Sequence, residues 1–298
     1  MTRRFVVLDV FTDRPLAGNP LAVVLDADGL DTERMQAIAR EFNLSETVFV
    51  LAPGEKRHRA RLRIFTPGRE LPFAGHPTVG TAVLLALLDG EGRPGASAFG
   101  LEETVGVVPC VTEIETEGRG YARFRLPRLP EVLGEGLEAA QVAWALGVEP
   151  GEIGFGRHGP SRHGAGVPYD LVPVASLDAL ARAEPKGDAF RETFVGSHPS
   201  AYVYTRLPGE NRFRARMFAP GLGIGEDPAT GSAAAAFAGA LMQFERLGEG
   251  EHSFVIEQGY EMGRPSQIAL QLVIREGALR SVEIGGRAVV VSEGRLRL

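Results

Sequence analysis

Apolar positions along this chain fall mostly into short alternating or β-branched runs separated by turn residues. Phe5–Val10, Ala22–Leu25, Thr47–Leu51 and Arg59–Phe65 have this character, which predicts strands. Met35, Ile38, Ala39 and Phe42 recur at helical spacing behind an acidic start, which predicts a helix over Asp31–Phe42. Pro77–Leu88 is different: it is apolar nearly all round, so it is predicted to be a helix buried on every side. The second half repeats the series. Leu171–Val174, Ala201–Thr205 and Arg212–Phe218 read as strands, Ser176–Ala183 as a short helix and Ser232–Phe244 as a second buried helix. Late strands are expected at His252–Glu257, Ile268–Arg275, Leu279–Ile284 and Ala288–Ser292.

The repetition extends to residue identities. Arg59-Ala-Arg-Leu-Arg-Ile-Phe-Thr-Pro-Gly68 echoes Arg212-Phe-Arg-Ala-Arg-Met-Phe-Ala-Pro-Gly221. His76-Pro-Thr-Val-Gly-Thr-Ala82 aligns with Asp227-Pro-Ala-Thr-Gly-Ser-Ala233, and Ala17-Gly-Asn-Pro20 with Ala165-Gly-Val-Pro168. Matched blocks in one order point to an internal duplication. The expected architecture is α+β: two pseudo-symmetric domains, each a mostly antiparallel sheet curled around a central apolar helix. The Pro- and Gly-rich segment 127–136 suggests a first domain over 1–126 and a second over 127–298. A return of the last strands, about 286–298, to the first domain stays open.

Composition narrows the function. The chain has 298 residues, 44% of them hydrophobic, enough for a sizeable core. Its net charge of −6 argues against nucleic acid as a partner. The longest apolar runs are about ten residues, against about 20 for a membrane span, so the protein is expected to be soluble and cytoplasmic. The lone Cys110 lies in the apolar stretch Val105–Val111 and reads as a buried structural thiol.

Each apolar helix starts from a turn rich in Gly, Pro and small polar residues, Phe73–Gly80 and Gly225–Ser232. Helix N-termini carry unpaired N–H groups and a positive dipole end, so the two mouths could together hold a carboxylate ligand. His76 and Asp227 occupy matching positions in the two aligned blocks. Glu46 stands where a helix gives way to an apolar strand; partial desolvation there would raise its pKa towards acid/base values. Aligning Val48–Leu51 with Ala201–Tyr204 sets Pro199 opposite Glu46, so the second half supplies no twin base, although a small slip would bring His198 there. Gly154-Phe-Gly-Arg-His-Gly159 has dinucleotide-motif spacing but reads as a loop, with no helical period after it. His158 and His163 lack the neighbours of a zinc site. His58 and His252 read as surface residues. No metal and no organic cofactor is expected.

Several of these blocks together resemble the phenazine-biosynthesis PhzF-like isomerases, which share the two-domain fold of diaminopimelate epimerase. They are Asn43-Leu-Ser-Glu-Thr47, Thr66-Pro67 through Glu70-Leu-Pro-Phe-Ala-Gly-His-Pro77, Gly166-Val-Pro-Tyr169 and Gly225-Glu-Asp-Pro-Ala-Thr-Gly-Ser232. The resemblance covers essentially the whole chain. It implies that Glu46 is the catalytic acid/base, and that His76 and Asp227 hold the polar groups of the substrate and assist proton transfer. It also implies that Ser45, Gly75, Gly231 and Ser232 surround the ligand, and that the protein is a homodimer. Related epimerases use two cysteines at the helix mouths; here Ala74 and Thr230 stand at those places, and Cys110 is the only thiol. The expected activity is therefore a cofactor-independent proton shift on a small amino-acid-like or cyclic amino acid substrate. The alternatives are an amino-acid racemase or epimerase on the same fold, or a non-catalytic small-molecule-binding protein.

Overall fold

A computed structural model describes residues 2–298. Contacts divide the chain into two compact units, one running to Pro127 and resuming at Gly285–Leu298, the other spanning Arg128–Ile284. The fold is sheet-dominated α+β with few helices.

The first unit contains β1 (Thr2–Val10), β2 (Asn19–Val24), α1 (Thr32–Phe42), β3 (Glu46–Leu51), β4 (Ala60–Phe65), β5 (Glu70–Leu71), α2 (Gly75–Asp89), β6 (Gly95–Glu103), β7 (Gly106–Thr116) and β8 (Arg119–Arg125). Antiparallel pairs join β1 to β2, β3 to β4, β4 to β5, β6 to β7 and β7 to β8, while β2–β3 and β4–β6 are parallel. Helix α2 lies against β1, β2, β3, β7 and β8. Every residue from Gly75 to Leu87 is buried. Such a helix has no polar face to show to water, as its sequence requires. Each of its buried Val and Leu side chains contributes about 1.5–3 kcal/mol by leaving water. A second apolar cluster under α1 joins Met35, Ile38 and Ala39 to Phe49 and Phe65.

The second unit holds β9 (Glu131–Val132), α3 (Ala139–Leu146), β10 (Ser161–Gly164), β11 (Pro168–Pro173), α4 (Leu177–Arg182), α5 (Gly187–Thr193), β12 (Ala201–Arg206), β13 (Arg212–Ala219), β14 (Ile224–Asp227), α6 (Gly231–Phe244), β15 (Gly250–Gln258) and β16 (Ser266–Arg275). Strand β10 pairs antiparallel with β11, β11 parallel with β12, β12 antiparallel with β13, and β13 antiparallel with β14 and parallel with β15. An antiparallel β15–β16 pair follows. This succession of orientations is the one that runs from β1 to β7. Helix α6 touches β9, β10, β11 and β16, strands from both ends of that order, so the sheet curls around it.

The last strand, β17 (Ala278–Arg297), starts in the second unit and ends in the first, where it pairs antiparallel with β1. The sequence suggests two strands there, broken near Gly285-Gly-Arg287. The structure has one. A Cβ on Gly285 would lie 2.4 Å from the Tyr121 hydroxyl and 2.9 Å from Arg123 Cβ. The glycine permits a close approach to β8 rather than making a turn. Strands β6–β8 also go beyond the sequence reading, although β7 alternates, with Val108, Cys110, Thr112 and Ile114 buried.

Two histidines are held by hydrogen bonds that the sequence does not reveal. His58 is not a free surface residue: its Nδ1 is 2.7 Å from Glu102 Oε1. His158 lies in the expected loop, outside any helix or named strand, yet is buried and bridges the Tyr204 hydroxyl at 2.9 Å and Glu245 Oε1 at 2.8 Å.

Candidate active site

Glu46 owes its position to the way α1 ends. Asp31 caps the start of that helix, accepting from the Arg34 N–H at 2.8 Å. Asn43 closes it in the left-handed region, φ 51°, with its N–H bonded to the Ala39 carbonyl. Three residues later the chain enters β3 with Glu46 as its first residue, beside Leu21 of β2. Ser45 immediately precedes it and is half-buried. His76 is the second residue of α2, after the buried Gly75. Its Nε2 lies 3.4 Å from Glu46 Oε2, with side-chain exposures of 6% and 16%. Burial pushes the His76 pKa down to about 3, which favours the neutral imidazole. The pair is thus a carboxyl group against a neutral imidazole, able to exchange a hydrogen bond with each other or with a substrate.

Asp227 ends β14 and is buried. Its Oδ2 accepts from the Thr230 hydroxyl at 2.5 Å. Gln258, fully buried at the end of β15, completes this turn. Its Nε2 donates to the Asp227 carbonyl at 2.8 Å and to Thr230 Oγ1 at 2.9 Å, and its Oε1 accepts from the Thr230 N–H at 3.2 Å. The next residue, Gly259 (φ +76°), lets Pro228 approach: a Cβ there would meet the Pro228 carbonyl oxygen at 2.6 Å. Gly231 opens α6, and the hydroxyl of the following Ser232 lies 2.6 Å from that of Tyr169. Tyr169 stands edge-on to the His198 ring, with centroids 4.9 Å apart.

Both mouths are anchored from behind. Arg63 of β4 donates to both carboxylate oxygens of Glu70 on β5, at 2.7 and 2.6 Å, and to Thr32 at the start of α1. Arg216 of β13 donates to both oxygens of Glu226 on β14, at 2.8 and 2.9 Å. Its remaining nitrogen donates to the carbonyls of Leu180, Ala181 and Ala183 at the end of α4. In each unit the arginine ties a flanking helix to the short strand that leads into the mouth.

The correspondence of His76 with Asp227 needs correction. Helix α2 begins at Gly75 and α6 at Gly231, with Ala74 and Thr230 as their N-caps. Counted from the helix starts, His76 matches Ser232, and Asp227 lies upstream on a strand. The sequence blocks align on Pro77 and Pro228, but the first proline sits inside the helix and the second before it. The register opposite Glu46 also moves by one. Thr47 pairs with Phe65 in one unit and Ala201 with Phe218 in the other. Ser200, not Pro199 or His198, therefore corresponds to Glu46. Gln258 is not signalled by the sequence; Thr230 is marked by its place at the helix mouth, and Tyr169 only by the Gly166–Tyr169 block. Among the described residues, no group of three or more His, Cys, Asp or Glu side chains could hold a metal ion. No helix among them is long and apolar enough to cross a membrane.

The family model described as phenazine biosynthesis-like protein matches residues 8–294. The chain belongs to that family. It is 51% identical to an uncharacterised isomerase of Mesorhizobium japonicum, over 99% of both chains. It is 37% identical to the trans-2,3-dihydro-3-hydroxyanthranilate isomerase of Pseudomonas aeruginosa, again over 99% of both. A PhzF-family phenazine biosynthesis protein of Bacillus anthracis superposes with a TM-score of 0.87 at 27% identity, covering 100% of each chain.

Proposed function

We propose that this protein is an isomerase that shifts a proton on a small amino-acid-like or cyclic amino acid substrate, with Glu46 as the acid/base. The observation that carries the reading is Glu46 in contact, at 3.4 Å, with the buried His76, whose pKa burial pushes down. Glu46 as carboxylate takes a proton from a C–H carbon, the electron pair moves along the adjoining unsaturated system, and the protonated Glu46 returns the proton to another carbon. Atoms and electrons balance without an oxidant or a second reactant. His76 and Asp227 would hold the polar groups of the substrate, and Ser45, Gly75, Gly231 and Ser232 would surround its carboxylate. The similarity to the dihydrohydroxyanthranilate isomerase supports the class of chemistry. A duplicated ancestor is supported by the shared order of strand orientations and by the paired arginine–glutamate anchors. Ser200 at the position matching Glu46 favours one base over two, and so a shift between carbons over inversion at one.

The test is nuclear magnetic resonance of a pool of amino-acid and anthranilate-like metabolites in D2O, with wild type beside Glu46→Gln. Deuterium uptake at one carbon and proton return at another, seen with wild type alone, is the expected result. Uptake undiminished in Glu46→Gln would remove Glu46 from the role. Inversion at a single carbon without double-bond migration would favour a racemase, and saturable binding without uptake a binding protein.

A further inference from the structure

Strand β6 ends on two glutamates that face opposite ways. Glu102 binds His58 and accepts from the N–H groups of Gly54 and Glu55. Glu103 turns inward beneath the first turn of α2, where it is buried. Its Oε1 lies 2.8 Å from Thr78 Oγ1, and its Oε2 is buried with no hydrogen-bond partner. Thr78 Oγ1 is also 2.8 Å from the carbonyl oxygen of Ala74, the N-cap of α2. A hydroxyl carries one proton, whereas carbonyl and carboxylate oxygens only accept. One proton cannot serve two acceptors at that distance on two sides. The count closes when the carboxyl is protonated: Glu103 then donates to Thr78, and Thr78 donates to Ala74.

We propose that Glu103 is held as a neutral carboxylic acid and is a positioning residue, its proton fixing the first turn of α2, and with it His76, through Thr78. Burial pushes its pKa up to about 8, against the opposing Thr78 hydrogen bond. Among the described residues no cation acts on it. The titratable group facing it from β7 is the Cys110 thiol, which burial and Glu103 itself push up. From α2 it meets the Thr78 hydroxyl, and His76 on the same turn is neutral. Ionisation places a second acceptor against Thr78 and competes for the proton that holds Ala74. The consequence for catalysis rests on the proton-shift reading: activity would fall as pH rises through about 8. The state of the carboxyl does not rest on it.

The experiment is therefore a titration of the intact protein with carbon-13-labelled glutamate and nitrogen-15-labelled histidine, comparing wild type, Glu103→Gln and Thr78→Val. Gln donates to Thr78 as the protonated acid does but cannot ionise. One glutamate carboxyl signal is expected to titrate near 8 and to vanish in Glu103→Gln. The His76 ring signals should move with the same midpoint in wild type and stay flat there in both variants. If every glutamate titrates in the ordinary acidic range, or if His76 still follows the high-pH step in Thr78→Val, the proposal is overturned. Thr78→Val alone decides the coupling should Glu103→Gln not fold. Failure to find deuterium exchange would leave this titration unaffected.

Discussion

His76 stands in the first turn of α2, 3.4 Å from Glu46, and its burial decides its charge. Its motif marks it as a polar group at a helix mouth, but its protonation state depends on burial, which no local pattern reveals. With its pKa pushed down to about 3, it should stay neutral from pH 5 to pH 9, so that it serves as a hydrogen-bonding group and not as a cation. Nitrogen-15 chemical shifts of the ring would test this; an imidazolium pattern at pH 6 would contradict it. The same neutrality places on Glu46 the charge changes of the proposed reaction. Removing that carboxyl in Glu46→Gln should cost about 10²–10⁴-fold in proton exchange, the usual range for a general base. Glu46 and His76 were legible because each sits in a compact motif. Gln258 was not: it contacts Asp227 and Thr230 across about 30 residues of chain, and nothing around it signals that role.

At the scale of elements, hydrophobic patterning found the two central helices because burial on every side leaves its mark on the whole segment. It did not find their first residues. Identical prolines drew the two blocks into alignment, whereas α2 starts at Gly75, ahead of its proline, and α6 at Gly231, after its own. The arginine-rich strands were visible as a repeat, but their purpose emerges only when Arg63 and Arg216 are seen holding Glu70 and Glu226. The two anchors differ in burial, and this decides their worth. Arg216 and Glu226 side chains are 10% and 15% exposed, Arg63 and Glu70 25% and 33%. Arg216→Ala leaves a largely buried carboxylate and three helix-end carbonyls without their donor, and should cost about 3–5 kcal/mol. Arg63→Ala breaks a more solvated pair and should cost about 1 kcal/mol or less. Urea midpoints of the two variants would measure the difference; equal losses would mean that burial does not govern these anchors.

The class of fold, sheet-dominated α+β, followed from element types alone. The course of the last strand did not, because its membership is fixed by pairing between β1 and β17 at opposite ends of the chain.

Burial of ionisable groups also sets how the stability of the whole molecule depends on pH. Glu103 rises from 4.5 to about 8 on folding, so the folded protein holds this proton more tightly than the unfolded chain. Its contribution is complete below pH 4.5, shrinks above it, and is lost as pH rises through 8. The ceiling is about 3.5 pH units at about 1.4 kcal/mol each, or about 5 kcal/mol. Asp170, pushed up to about 6 by burial against the opposing charge of Arg162, acts with the same sign but is spent by that pH. His76 acts with the opposite sign. Its depressed pKa gives a contribution that is complete above 6.5 and lost as pH falls through about 3. Between about 4.5 and 6.5 the slopes of Glu103 and His76 therefore oppose each other, and from 6.5 to 8 that of Glu103 acts without this opposition. Over that upper window wild type should lose about 2 kcal/mol relative to Glu103→Gln, which has no proton to lose. Urea unfolding of both proteins at the two ends of the window reads the change directly. Parallel behaviour of the two would show that the buried carboxyl is ionised in the folded protein at neutral pH, and that its charge is met by a partner other than Thr78.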